Sequence, residues 1–247
     1  LAALHPETMG DLAGSLASVA ELGPRVDALH RGLAVRHGLH ILAASLPVRL
    51  PDGRFVNRAR LFTPHGKVGH QDKMVMTRFE NEQWHVSAGA PVRVFDTAIG
   101  RIGIAICYDS EFPLIARAQV QAGAQLLLVP SCTDTLAGYW RVRHCAQARA
   151  VEGQCFVVQS PTVGEAPWSP AVDVNRGAAG IFAPPDRGMP DDGVVALGQM
   201  DAAQWVVAEV DLAATDALRA DGGVLNLRDW AHQPGATPLP ATVVDLR

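Results

Sequence analysis

The sequence predicts a layered α/β fold in which strands and helices alternate within one domain. Apolar runs with strand character are repeatedly followed by apolar residues at helical spacing, which is typical of strands joined by crossover helices. A hairpin signal in the first third adds antiparallel pairing, so we expect mixed sheets. No internal repeat or linker divides the 247 residues, and we therefore expect a single domain over residues 1–247 with a substantial core.

The first elements are defined by breakers and by a turn signal. They are, in order, a helix or loop end over residues 1–22 with Asp11 as candidate cap, a helix over 24–37 after Gly23-Pro24, a strand over His40–Leu46, and a hairpin with strands over 55–64 and 68–73 about a turn at 65–67.

The central stretch begins as a strand over residues 101–107, in which three isoleucines alternate with small residues. A helix is predicted to start near Pro113, with Asp109 or Ser110 as its cap. Cys107 therefore lies where a strand turns sharply into a helix. Backbone N–H groups and a helix dipole at such a turn favour a thiolate or an oxyanion, although a buried structural cysteine is an equally weighted alternative.

Later elements continue the alternation. They are a helix ending at Gly123, strands at 126–129, 155–159 and 178–183, a second crossover helix at 139–153, a turn-rich segment at 184–193, a strand over Trp205–Val210, a short helix capped by Asp211, and a Pro-rich tail after Asp229 suited to packing on a partner.

Composition excludes several classes of protein. Hydrophobic residues make up 48% and charged residues 19%, which is typical of a soluble enzyme, and the net charge of −4 gives no footprint for nucleic acid. No apolar run is long enough for a membrane span, and the start shows no signal-peptide pattern. The four cysteines lack C-x-x-C spacing, which argues against zinc and favours a cytoplasmic setting with reduced thiols.

Three motifs together resemble the nitrilase, or carbon–nitrogen hydrolase, superfamily. The first is Cys107-Tyr108-Asp109 followed by Phe112-Pro113, and the second is the run Gly69–Glu80, which contains a lysine and a Thr-x-x-Glu. The third is Ala148–Val158, and the strand-like run Leu126–Ser131 also fits. The resemblance extends from about residue 30 to 230. It implies a four-layer α-β-β-α sandwich with mixed sheets, which members of the superfamily extend across a homodimer or larger homo-oligomer.

The resemblance also assigns catalytic roles. Cys107 is the expected nucleophile, and Lys73 is expected beside the developing oxyanion together with the backbone N–H of Tyr108. Glu80 is the expected second glutamate that orients the lysine. Glu82 competes for that role, but the Thr-x-x-Glu spacing favours Glu80.

The general base of this superfamily is a glutamate, usually in a Pro-Glu pair at the end of an early strand. Glu7 follows Pro6, but the four residues before this motif are few for a core strand. We therefore favour a base and a first strand upstream of Leu1, with Glu7 as the alternative base. The chain begins with Leu1 rather than Met, which fits a fragment or a processed form.

Other residues are candidates for the pocket. Ser131 and Cys132 follow a strand end and are expected to line it. Trp84 and Trp168 shape the substrate pocket or pack elsewhere. The cluster at 141–144 is expected to be a solvated helix face, with binding of an acidic substrate group as a minor alternative.

The function implied is amidase-type hydrolysis of a non-peptide carbon–nitrogen bond through a cysteine thioester, without a metal or organic cofactor. The substrate is a small amide or nitrile, and the motifs do not separate amides, nitriles and N-carbamoyl compounds. Alternatives are a nitrilase proper, and a catalytically silent binding or assembly module that lacks the base. We expect no nucleic-acid partner and no membrane association.

Overall fold

Two β-sheets lie face to face between two layers of helices in the computed structural model, which describes residues 6–235. Helices α1 (Leu12–Glu21) and α2 (Gly23–His37) pack on the smaller sheet, and α4 (Pro113–Gln121) and α5 (Leu136–Gly153) pack on the larger one. The four-layer arrangement expected from the sequence is confirmed.

The smaller sheet places the end of one strand in the middle of the molecule. Its strands are β1 (Ile41–Arg49), β2 (Phe55–Phe62) and β3 (Val68–Asp72), all antiparallel, and the short β4 (Val86–Ser87) runs parallel to β2. The predicted hairpin is confirmed as β2 and β3. Its return strand ends immediately before Lys73.

The larger sheet has six strands in the order β12-β11-β8-β7-β6-β5. Strands β6, β7 and β8 are parallel, and the outer pairings are antiparallel, so the sheet is mixed as predicted. Its members are β5 (Val94–Thr97), β6 (Gly100–Ile104), β7 (Leu126–Ser131), β8 (Phe156–Pro161), β11 (Gly180–Phe182) and β12 (Val194–Leu197).

Shorter elements fill the connections. They are the hairpin of β9 (Gly164–Glu165) and β10 (Val174–Asn175), the helices α3 (Arg78–Glu82), α6 (Leu212–Asp221) and α7 (Asn226–Asp229), and 3-10 turns at Pro6–Thr8, Cys107–Glu111 and Trp230–His232. The predicted caps are confirmed at two helices: Asp11 Oδ1 accepts from Ala13 N, and Asp211 Oδ1 accepts from Ala213 N.

The main core lies around β6 and β7. Isoleucines 102, 104 and 106 and Leu127 are almost fully buried there, with side chains of α4 and α5 against them. Gly103 permits close packing in this core, because a Cβ at that position would lie 2.7 Å from a methyl carbon of Leu127. The period-2 alternation of small and large residues in β6 thus reflects a strand buried on both faces.

The predicted strand over Trp205–Val210 is wrong. The segment pairs with no strand in the part of the chain that the structure describes, and Trp205 and Val207 are 94% and 82% exposed. An alternating pattern favours extended backbone, but a strand also needs a neighbour to supply its hydrogen bonds. The segment has the alternating pattern, but no strand of the described residues lies beside it to form those hydrogen bonds.

Two other expectations concern the ends of the chain. The short apolar run before Pro6 and the last part of the Pro-rich tail, from residue 236, lie outside the described residues. Among residues 6–235, no helix is long and apolar enough to cross a membrane.

Candidate active site

Cys107 occupies a strained turn between β6 and α4. Its φ is 50°, in the left-handed region that residues with a side chain seldom adopt. The chain passes from β6 into the 3-10 turn Cys107–Glu111, and Ser110 Oγ donates a 2.6 Å hydrogen bond to the carbonyl oxygen of Cys107. A sharp strand-to-helix turn of this kind presents one side chain to a cavity.

The predicted helix cap at Asp109 or Ser110 is wrong. Helix α4 begins at Pro113 with Phe112 as its N-cap residue, and no side chain caps it. Asp109 instead reaches across to the loop after β3, where its carboxylate accepts hydrogen bonds from the N–H groups of Met74 and Val75 at 3.1 and 2.8 Å. A proline at the first position leaves fewer orphan N–H groups to cap, which frees the acid for a tertiary contact.

Lys73 and Glu80 form a buried ion pair. The distance from Lys73 Nζ to Glu80 Oε2 is 2.5 Å, and the two residues are 3% and 6% exposed. The same oxygen accepts hydrogen bonds from the backbone N–H and the hydroxyl of Thr77, both at 2.9 Å. Thr77 and Glu80 make a capping box at the start of α3, so the Thr-x-x-Glu spacing has a local structural cause.

Glu82 points away from this pair. It forms an exposed i,i+4 ion pair with Arg78, whose side chain is 89% exposed. The structure therefore brings Glu80, and not Glu82, to the lysine. Glu7 lies in the exposed 3-10 turn Pro6–Thr8 and lines neither of the cavities at Cys107.

Two cavities meet at Cys107. The inner one, of about 190 Å³, is lined by Lys73, Glu80, Trp84 and Ser131 among others, and also by Cys132. Its remaining lining residues are Ala44, Ser45, Pro47, Asn57, Thr77, Phe79, Ile106, Pro130, Ser160, Thr162, Ala171 and Val172.

The outer cavity, of about 700 Å³, opens to solvent. Tyr108, Glu111 and Arg141 lie on its wall, and Glu111 Oε2 is 3.5 Å from Arg141 Nε. Trp168 lines neither cavity. The 141–144 cluster is thus divided: Arg141 faces the outer cavity, while Arg143 and His144 stack on Trp140.

Cys132 lies beside Cys107 at the end of the neighbouring strand. Its carbonyl oxygen is 3.6 Å from Cys107 Sγ, and its own Sγ contacts Asn175 Oδ1 at 2.9 Å. Burial raises the pKa of the Cys132 thiol to about 12. Cys132 therefore lies on the wall of both cavities, beside the candidate nucleophile.

Burial and neighbouring groups act in opposite directions on the pKa values of Cys107 and Asp109. Burial raises the pKa of the Cys107 thiol, and the Lys73 ammonium acts in the opposite direction. Burial likewise raises the pKa of the Asp109 carboxyl to about 6, against the N–H groups of Val75 and Met74. The Lys73 ammonium thus pairs with Glu80 and also favours the thiolate of Cys107, which is the reactive form of the thiol. Among the described residues no group of three His, Cys, Asp or Glu side chains is arranged to hold a metal ion.

The structure thus brings Cys107, Lys73 and Glu80 to one cavity of an α-β-β-α sandwich. The carbon-nitrogen hydrolase family model matches residues 5–219, so the chain belongs to the carbon–nitrogen hydrolase family within the nitrilase superfamily. The resemblance seen in the motifs is confirmed.

The chain also matches named relatives over part of their length, and it shares its fold with solved structures. The chain is 41% identical over 201 residues to "Probable hydrolase YhcX" of Bacillus subtilis, covering 81% of this chain and 39% of that protein. It is 31% identical over 140 residues to Nitrilase 3 of Arabidopsis thaliana, covering 56% and 38%. The chain thus spans about two fifths of the length of each of these relatives.

Structures of Saccharomyces cerevisiae Nit3 and of a carbon-nitrogen hydrolase from Helicobacter pylori superpose with TM-scores of 0.68 and 0.70 at 22% and 20% identity. They cover 79% and 82% of this chain, which covers 68% and 72% of theirs. At this identity the likeness concerns the fold alone.

Proposed function

We propose that the protein is an amidase-type hydrolase that cleaves a non-peptide carbon–nitrogen bond of a small molecule through a thioester on Cys107. The observation that carries this proposal is that Cys107 shares one cavity with the buried pair of Lys73 and Glu80. Cys107 lies at a strained turn and Lys73 is a buried cation in the same cavity. This arrangement suits addition of the thiol to a carbonyl carbon.

In the proposed first step the Cys107 sulfur forms a bond to the amide carbon, and the electron pair of the C=O bond moves to oxygen. The Lys73 ammonium and the backbone N–H of Tyr108 stabilise that oxyanion. Glu80 holds the lysine in place through an oxygen that also accepts hydrogen bonds from the backbone N–H and the hydroxyl of Thr77. Each donor to an oxyanion contributes about two to three orders of magnitude in rate.

In the second step the oxyanion collapses, the carbon–nitrogen bond breaks, and the amine or ammonia leaves with a proton. A thioester remains on Cys107. Water then adds to the thioester, and its collapse releases the carboxylic acid and restores the thiol. No metal or organic cofactor is required for this sequence of steps.

The proton acceptor in this scheme is a glutamate, and Glu7 is the candidate that the chain itself offers. It follows Pro6, as in the motif of the superfamily, although it is exposed here. Glu7→Gln tests this role: if Glu7 is the base, the variant loses turnover while its far-UV circular dichroism stays that of the wild type. Unchanged turnover in the variant would assign the base to another glutamate, as the sequence favours.

The function is tested by measuring ammonia release from short aliphatic amides and from the matching nitriles. We expect turnover of amides, its loss in Cys107→Ala, and retention in Cys145→Ala, which removes a cysteine that lines neither cavity. Rapid quenching followed by intact-mass analysis is expected to show the acyl group on Cys107. Turnover of nitriles alone would establish the nitrilase alternative, and retained activity in Cys107→Ala would reject the nucleophile.

Support for amides comes also from relatives, because proteins named deaminated glutathione amidase from Yersinia enterocolitica and from Bos taurus match this chain at 29% and 46% identity over 147 and 70 residues. We further propose a cytoplasmic setting and a homodimer or larger homo-oligomer, on the resemblance to the superfamily. Size-exclusion chromatography with light scattering tests the oligomer.

A further inference from the structure

One buried carboxylate connects the loop that carries the lysine to the turn that carries the cysteine. Asp109 is 1% exposed and lies two residues after Cys107. Its Oδ1 accepts from the N–H groups of Met74 and Val75, the two residues that follow Lys73, and its Oδ2 shares the Met74 N–H at 3.1 Å. The two loops come from different sheets and have no covalent connection nearby.

The main chain at Lys73 is fixed from two further sides. Its N–H donates to the Asn57 carbonyl oxygen in β2, and its own carbonyl oxygen accepts from Gly89 N, both at 2.8 Å. These two contacts fix the lysine within its own sheet. The contact with Asp109 is different, because it joins the loop that follows Lys73 directly to the turn that carries Cys107.

We propose that Asp109 is a positioning residue that sets the separation between the Cys107 sulfur and the Lys73 ammonium. The inference rests on the proposed function, in which both groups act on one carbonyl. A donor must lie about 2.7–3.1 Å from the oxyanion, and a displacement of about 1 Å can cost 100-fold in rate. A contact within two residues of each of the reacting groups is well placed to control that distance.

The charge of Asp109 is part of this role. A carboxylate accepts from two N–H groups more strongly than a neutral oxygen does, and its charge also favours the ammonium of Lys73. The groups that face it are Lys73, the N–H groups of Met74 and Val75, and the main chain at Ile106. Because burial raises the Asp109 pKa to about 6, the contact weakens in mildly acidic solution.

The test compares Asp109→Asn with Asp186→Asn. Asp186 is a matched control, since its Oδ1 also accepts from two backbone N–H groups, those of Arg187 and Gly223, and it lines neither cavity. For turnover of a short amide, we expect kcat to fall about 10- to 100-fold in Asp109→Asn with little change in KM, and no change in Asp186→Asn.

Two further readouts separate positioning from mere folding. The acid limb of kcat near pH 6 is expected in the wild type and is expected to disappear in Asp109→Asn. Propionaldehyde, whose carbonyl adds the Cys107 thiol to give a tetrahedral adduct, is expected to bind at least tenfold more weakly to Asp109→Asn. This binding is measured without turnover, so it reports on Asp109 even if no amide proves to be a substrate.

An unchanged acid limb together with unchanged propionaldehyde affinity in a folded Asp109→Asn protein would overturn the proposal. A proportional rise in KM with constant kcat would also overturn it, because it would indicate a role in ground-state binding. If Asp109→Asn does not fold, the pH dependence of propionaldehyde binding to the wild type decides: the proposal requires affinity to fall below about pH 6 while the far-UV circular dichroism stays constant.

Discussion

Lys73 Nζ lies 2.5 Å from Glu80 Oε2 in the interior of the protein, and both side chains are almost inaccessible to water. Such a pair is costly to break from one side, because the remaining charge has no partner and no solvent. The pair therefore contributes to stability as well as to the chemistry of the site, and it distinguishes Glu80 from Glu82, which lies two residues later.

We predict that Glu80→Gln loses at least 100-fold in kcat/KM and about 3–5 kcal/mol in the free energy of unfolding. The reason is the uncompensated Lys73 ammonium. Glu82→Gln, which removes only an exposed i,i+4 partner of Arg78, should change stability by less than about 0.5 kcal/mol. Urea unfolding and amide turnover measure both effects. Equal losses in the two variants would contradict the assignment of Glu80.

Removal of the lysine charge should affect catalysis and the thiol together. In Lys73→Met we expect kcat to fall about 100- to 1,000-fold, as for loss of one oxyanion donor. The pKa of Cys107 should rise, because the ammonium now opposes the effect of burial. Lys67→Met, at an exposed position in the β2–β3 turn, is the control. The pH dependence of iodoacetamide labelling measures the thiol, and an unchanged profile in Lys73→Met would argue against this contact.

Stability should depend on pH through Asp109. Its folded-state pKa is raised to about 6, so between about pH 4 and pH 6 the folded protein keeps a proton that the unfolded chain has released. The contribution of this group is fully present below about pH 4 and is lost as the pH rises through 6. In Asp109→Asn this part of the pH dependence should be absent. Urea midpoints across this range give the comparison, and parallel curves for both proteins would contradict it.

Gly89 should tolerate no side chain. A Cβ at this position would lie 2.2 Å from Asp72 Cβ, and the Gly89 N–H donates to the Lys73 carbonyl oxygen. We predict that Gly89→Ala costs about 1–3 kcal/mol and also lowers kcat, since the lysine loop must move. Gly32→Ala, in helix α2 with open space around the Cβ, should be neutral or stabilising by up to about 1 kcal/mol. Thermal unfolding and turnover of the two variants test the difference.

Local signals in the sequence are sufficient to predict most of the helices and strands and one feature of the site. The hairpin ending at Lys73 and the strand before Cys107 follow from breakers and alternation. The choice of Glu80 over Glu82 also has a local basis, because Thr77-x-x-Glu80 is a capping box that fixes the Glu80 carboxylate at the start of α3.

The role of Asp109 could not be read in the same way. By local rules an acid before a proline caps the next helix, and that rule predicted the wrong partner. The observed donors, Met74 and Val75, are more than thirty residues earlier and belong to the other sheet. Only the stacking of the two sheets brings them together, and no periodicity encodes that stacking. The strand prediction over 205–210 is wrong for a related reason, because strand pairing depends on a neighbouring strand and not on the segment alone.

That segment has a practical consequence for handling the protein. Between Trp205 and Val210 the chain presents the large apolar side chains of Trp205 and Val207 to water. Exposed apolar segments of this kind promote association between molecules. Aggregation should therefore rise steeply with protein concentration, and Val207→Lys should reduce it without changing the chemistry at Cys107, which light scattering of the two proteins measures.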